Sequence, residues 1–283
     1  MMAKAKPKPT RGKLAAPLAN ALSVLASRGQ SIFTLAQFAV ALGRPPARTY
    51  RILSKLLSGG WVARLSKGTY LIVPLEAGPG AEWTEDAVVI AGHLASPSAV
   101  AYWSACHYWN WTEQVPRTVF VQTPQRKMWS ARTVLGVQYR FVTVRLARFF
   151  GTMERRAGRG RIVVTDREKT LVDALDRPDL CGGMRQVIEM VPAAAQAVRW
   201  EKVEAYLEKM GSGALYKRLG LLVEMLGERV KVPDRERRIE AWRAHLTGGY
   251  APLEPGGRAS GPVNSRWRVR VNVPALAHSV GAP

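Results

Sequence analysis

Thr34–Ser58 reads TLAQFAVALGRPPARTYRILSKLLS, a stretch with two helical periodicities separated by a Gly-Arg-Pro-Pro break. In its first half Leu35, Phe38, Ala39 and Leu42 recur at helical spacing behind Thr34, whose hydroxyl suits a helix N-cap. Gly43 permits a sharp turn. Pro45 and Pro46 pre-set φ for a new helix start, where a missing N–H costs little. The second half puts Tyr50, Leu53, Leu56 and Leu57 on an apolar side, with Ile52 at its edge. Arg44, Arg48, Arg51 and Lys55 follow one another at spacings of four, three and four along a different face. Buried aliphatics behind and long cations in front are what a helix entering the major groove requires. The candidate DNA contacts are Arg44, Arg48, Thr49, Arg51 and Lys55.

The flanks extend this helix-turn-helix into a domain. Upstream, Leu18, Leu22 and Leu25 share one face of a helix over residues 14–26, and Gly29 is its stop signal. Downstream, Gly59-Gly60 ends the second helix, and two β-rich runs surround Ser66-Lys67-Gly68 as a hairpin. A hairpin after a helix-turn-helix is a wing. Arg64 and Lys67 place cations near its tip, within reach of flanking phosphates.

Charge agrees with architecture. The first 75 residues contain twelve Lys or Arg and no acid; Glu76 is the first. A folded block of that charge repels itself unless it lies against a polyanion, and nucleic acid is the commonest one. The whole chain of 283 residues carries +21, and +16 without the five cations of residues 1–13. Those thirteen residues read as a disordered basic arm. The Pro/Gly-rich run at residues 74–80, after which acids appear, predicts a boundary near residue 78. The predicted fold class is α+β: a winged helix-turn-helix over 14–78, then a larger mixed α/β domain over 79–283.

In that second domain the pattern predicts helices at 82–94 and 96–108, the latter capped by Ser96 with Pro97 at its first position. Strands are expected at 117–122, 133–135, 137–145 and 161–164, and helices at 183–191, 200–210, 213–226 and 234–246. Residues 266–271 alternate as a basic strand. The aromatic group Tyr102, Trp103, Tyr108, Trp109 and Trp111 could stack nucleobases, although such groups more often form core. Thr165-Asp-Arg-Glu168 reads as a capping box starting a helix that stops before Pro178. Residues 126–161 hold ten cations against Glu154 alone, so Arg145, Arg148, Arg155 and Arg156 are candidate secondary contacts to the DNA backbone. A solvated, charge-protected strand edge explains the same density.

No catalytic pattern emerges. The four histidines form no helix-face metal pair, and no P-loop, nucleophile elbow or H-E-x-x-H is present. Cys106 and Cys181 are too few for a tetrahedral zinc site or a disulfide framework, which suits a reduced cytoplasmic protein. No apolar run reaches the roughly 18 residues that span a bilayer. No cofactor or metal is expected.

Three segments together resemble the AbiEi family of antitoxins. They are the basic winged helix ending at Gly68-Thr-Tyr70, the run from Tyr102 through Thr112-Glu-Gln-Val-Pro-Arg-Thr-Val-Phe-Val-Gln-Thr123, and Thr165-Asp-Arg-Glu-Lys-Thr-Leu-Val-Asp-Ala-Leu-Asp-Arg-Pro178 with Gly182-Gly183. The third is the most specific. The resemblance implies an autorepressor that binds operator inverted repeats in double-stranded DNA. It further implies an antitoxin that counters a nucleotidyltransferase toxin without a stable complex, in abortive phage defence. Glu168, Lys169 and Asp173 are then the candidate residues for antitoxin function. A ligand-sensing repressor and a nucleic-acid-processing enzyme are the alternatives from other classes.

Overall fold

The computed structural model describes residues 13–73, 87–126, 130–157 and 160–274. The basic arm up to residue 12, the 74–80 linker with its boundary, and the start of the helix expected from residue 82 lie outside them.

The first unit orders its elements as α1 (Ala16–Ser27), β1 (Ile32–Thr34), α2 (Leu35–Leu42), α3 (Pro46–Ser58), β2 (Val62–Ser66) and β3 (Thr69–Ile72). Thr34 caps α2 as expected: its hydroxyl accepts from the Gln37 amide, and the Gln37 carboxamide oxygen accepts from the Thr34 amide at 2.7 Å. Gly43 ends α2 in the left-handed region at φ 63°, which glycine adopts without a Cβ penalty. The wing is an antiparallel β2–β3 hairpin, and β1, too short to show in the pattern, pairs with β3 as a third strand.

The second unit is built on a six-stranded mixed sheet in the order β6-β7-β5-β4-β9-β8. Its strands are β4 (Ala99–Val100), β5 (Thr118–Thr123), β6 (Ala131–Val134), β7 (Val137–Thr143), β8 (Thr152–Ala157) and β9 (Gly160–Thr165). Helices α4 (Ala87–Leu94), α5 (Tyr102–Tyr108), α6 (Arg167–Asp176), α7 (Met184–Ala197), α8 (Trp200–Met210), α9 (Gly213–Leu226) and α10 (Arg235–Ala244) surround it. A small sheet of β10 (Ala251–Pro252), β11 (Val263–Asn264) and β12 (Val269–Arg270) closes the chain.

Two expectations shift here. Ser96-Pro97 does not start a helix, because Ala99 and Val100 pair with β5 and β9 and hold the chain extended until Tyr102. The basic strand at 266–271 shrinks to Val269–Arg270, yet its alternation holds: Trp267, Val269 and Val271 are buried. The Trp267 ring packs against Gly220 of α9, where an added Cβ would come within 2.1 Å of the ring, so only glycine admits that contact.

Three apolar clusters hold the molecule together. One is the winged-helix core of Leu22, Leu25, Phe33, Phe38, Leu53, Leu56, Val62 and Tyr70. The largest gathers α5 to α10 around α6 and one face of the sheet. The third joins the units: Leu65 and Leu71 of the wing pack with Val89, Ile90 and Leu94 of α4 and with Ile162 and Val164 of β9. Period-two alternation explains this division. Tyr70 and Leu71 are neighbours on β3 and so point to opposite faces, one into the winged-helix core and the other onto α4. The wing is therefore a layer between two cores.

Candidate nucleic-acid interface and the polar centre of the second domain

The exposed face of α3 carries Arg48, Arg51 and Lys55, with Arg44 exposed just before the helix and Arg64 and Lys67 exposed on the wing. Among the described residues no ion pair joins any of the six to an acid. They are a ready set of cations with no acid paired to them among the described residues, and those on α3 are backed by Leu53 and Leu56. Thr49 is not part of this surface. It is fully buried, and its hydroxyl donates to the Pro45 carbonyl at 3.0 Å, bracing the first turn. The buried row runs Thr49, Leu53, Leu56, and Tyr50 lies off it at 61% exposure. Tyr50, expected on the apolar side, thus presents its phenol on the flank of the cationic face.

The four arginines of the second domain sit in two places. Arg155 and Arg156 are exposed on edge strand β8, and Arg156 pairs in register with Arg161 across the β8–β9 ladder. Like charges directly opposite in a sheet are destabilising unless an anion lies over them. Glu154 offsets little: its pair with Arg161 spans 3.7 Å with both side chains more than 70% exposed. The turn end of this hairpin, at Gly160, packs on Val89 of α4, the helix on which the wing also rests. Arg145 and Arg148 lie elsewhere, after β7. Arg148 is paired with Asp176 at 3.3 Å and reaches the Met210 carbonyl.

Helix α6 carries Glu168, Lys169 and Asp173. Eight consecutive residues, Glu168 to Leu175, are buried because α5, α7, α8 and α9 all pack around it. Its charged groups therefore need partners inside the protein. The expected capping box is displaced by one residue: Asp166 is the N-cap and accepts from the Lys169 amide at 2.8 Å. Thr165 instead turns its hydroxyl to Thr170, and Glu168 leaves the helix start to accept from the Arg199 amide at 3.0 Å. Lys202 of α8 bridges Asp166 at 2.8 Å and Glu168 at 3.1 Å, and Tyr206 donates to Asp166 at 2.9 Å. Burial acts against the Glu168 carboxylate, but the Arg199 amide and Lys202 together hold its pKa below the ordinary value. The Tyr206 phenol is pushed up to about 12 by burial and by Asp166.

One turn further on, Lys169 and Asp173 form an i,i+4 ion pair with side chains 0% and 4% exposed. Gln122 of β5 donates to Asp173 at 3.3 Å and to the Tyr102 hydroxyl at 3.1 Å. Burial raises the Asp173 carboxyl above its ordinary pKa, against the pull of Lys169. Gly151, at φ 64°, lets the chain pass Lys169 closely; a Cβ there would sit 2.8 Å from that of Lys169. The Tyr102/Trp103/Trp109/Trp111 aromatics are largely core and sub-surface packing, with Tyr102 and Trp111 buried. Tyr102 belongs to the polar centre through its hydroxyl.

Residues 20–73 match the family model described as transcriptional regulator, AbiEi antitoxin. The match lies within the winged-helix unit. Nearly the whole chain is similar in fold to the crystal structure of the RV2827C protein from Mycobacterium tuberculosis, at 17% identity, 98% coverage of each chain and a TM-score of 0.65. No curated protein matches the chain. The matched AbiEi segment contains α2, α3, the wing and all six exposed cations. It stops at residue 73, so the polar centre around α6 lies outside it. Among the described residues no helix is long and apolar enough to cross a membrane.

Proposed function

We propose that this protein is a DNA-binding autorepressor and antitoxin with a division of labour between its units. Arg44, Arg48, Arg51 and Lys55 enter the major groove of an operator built of inverted repeats, and Arg64 and Lys67 hold the flanking backbone. Arg155 and Arg156 of β8 add phosphate contacts from the second domain. Residues 79–283 counter a nucleotidyltransferase toxin in phage defence, with the α6 region carrying that activity. The observation that supports this reading best is the outward cationic face of α3, which has no acid partner among the described residues and lies in the segment that matches the AbiEi regulator model.

Titration of operator and random duplexes at several salt concentrations tests it. Arg48→Ala or Arg51→Ala should cost about 1–3 kcal/mol on the operator and relax base preference locally. Lys67→Ala, Arg155→Ala and Arg156→Ala should weaken all duplexes alike, each lowering the log–log salt slope by about one. Equal losses on specific and random DNA for the α3 variants would refute base reading by that helix. Co-expression of residues 79–283 with a neighbouring nucleotidyltransferase tests the second half; a folded fragment that never restores growth refutes it.

A further inference from the structure

A cavity of about 360 Å³ opens beside the polar centre, at the carboxyl ends of the parallel neighbours β5 and β7. In open α/β sheets the carboxyl ends of parallel strands are where ligands bind, since the chain there leaves the ladder and frees polar groups. Here Gln122 is the second-to-last residue of β5, Arg145 follows β7, and Lys169, Asp173 and Arg177 come from α6 and its end.

Two features point to an occupant. Gln122 is 1% exposed and lines the cavity, yet its side-chain oxygen has no hydrogen-bond partner among the described residues, while its amide nitrogen is committed to Tyr102 and Asp173. A buried carbonyl without a donor is costly, and a bound O–H or N–H would complete it. The second feature is the cation excess. Arg145, Arg148, Lys169 and Arg177 line the space against Asp173 and Asp176. Lys169 and Arg148 are matched by these two acids, and Arg177 grips Asp179 at 2.8 Å through two nitrogens. Arg145 is exposed and joined to no acid among the described residues. Arg145, together with the N–H groups that Arg148 and Arg177 leave uncommitted, presents more donors at one mouth than a single carboxylate accepts. They suit the several oxygens of a phosphate.

We infer that this cavity binds a small polyhydroxylated phosphate monoester, its phosphate held by Arg145 with Arg148 at the mouth and a hydroxyl or N–H of its body donating to Gln122. Free sugar phosphates and nucleoside monophosphates share this chemistry. The volume admits a ligand of that size and no macromolecule. The site is independent of the DNA-binding face, so its failure would leave that reading standing.

Calorimetric titration of the full-length protein with ribose 5-phosphate and with AMP decides the matter, with ribose and inorganic phosphate as controls. The expected result is saturable binding of at least one ester, with ribose and inorganic phosphate at least about tenfold weaker, as loss of a charge-assisted hydrogen bond predicts. Binding of both esters identifies the sugar phosphate as the recognised unit, and binding of AMP alone a nucleotide. Arg145→Ala, at an exposed position, should weaken the ester about tenfold or more without changing the melting temperature of the free protein. The inference is overturned if neither ester saturates, if inorganic phosphate binds as well as the esters, or if Arg145→Ala retains full affinity.

Discussion

The Lys169–Asp173 pair sets a sharp test of what holds α6 in place. Both side chains are almost wholly buried, and the partners beyond each other are few: Gln122 for the carboxylate, and the Phe150 ring 4.9 Å from the ammonium. Lys169→Met leaves a carboxylate that burial already disfavours with a single neutral donor. Asp173→Leu leaves an ammonium with only a ring face. Removing one member of a buried pair typically costs about 3–5 kcal/mol, whereas replacing both by apolar residues of similar size is often neutral or stabilising. Each single variant should therefore lose about 3–5 kcal/mol, and the double variant should recover most of it, a coupling above about 3 kcal/mol. At about 2–4 °C per kcal/mol, each single change lowers the melting temperature of the second domain by roughly 6 °C or more. Urea unfolding followed by tryptophan fluorescence reads the transition directly. Single variants costing under about 1 kcal/mol, or a double variant as unstable as the two losses added, would show that water reaches the pair and would refute the argument. The double variant also separates structure from antitoxin function. If it folds but does not counter the toxin, the charges act beyond the core.

Two further expectations concern the joint between the units and the acid limb of stability. Leu71→Ala should cost about 2–5 kcal/mol by emptying space between the wing and α4. Residues 1–78 alone should melt below the same domain in the full chain, and calorimetry showing equal midpoints would mean the shared cluster contributes nothing. Glu168 has a pKa held below its unfolded value, so its stabilisation is fully present above about pH 4.3 and is lost as pH falls through the lower folded value. Asp173, raised by burial, works in the opposite sense: its cost sets in as pH rises past the ordinary carboxylate range. Glu168→Gln should accordingly flatten the fall of melting temperature on acidification below about pH 4.3, and a curve parallel to the wild type would contradict this assignment.

The winged helix was legible because each of its elements obeys one strong local rule. Helical periodicity marks α1 to α3, the Thr34–Gln37 box and Gly43 fix the ends of α2, and the Gly-containing turn closes the hairpin. Where one residue serves two patterns, the local rule misleads. Tyr50 and Thr49 both sit beside the apolar row of α3, and packing chose the smaller threonine because its hydroxyl finds the Pro45 carbonyl. Ser96-Pro97 carries a good helix-start signal, but Ala99 and Val100 gain ladder partners on both sides. Thr165 and Asp166 are both capable N-caps, and Asp166 prevails with Lys202 and Tyr206 to hold its second oxygen. Strand β8 escaped notice for want of alternation; on a sheet edge, Thr-Met-Glu-Arg-Arg buries almost nothing. The cavity was not legible at all, since Tyr102, Gln122, Arg145, Lys169 and Met210 come together only through the sheet and the α6 packing.

The placement of α4 gives the density of arginine in residues 126–161 a physical reason that composition could not supply. Cations spread over a free surface would be solvated and carry no geometric meaning. Here the wing rests on one part of α4 through Leu65 and Leu71, and the β8–β9 hairpin rests on the same helix through Gly160 and Ile162. A rigid apolar layer thus fixes two basic hairpins relative to each other. The second domain held in this way bears Arg156 opposite Arg161 on its edge strand β8. The ladder gives the proposed phosphate contact its reason: two arginines in register are unfavourable in the free protein, and a phosphate between them removes the penalty. The shared cluster holds the wing against the second domain. On the proposed reading, that cluster sets how far along the duplex the protein reaches.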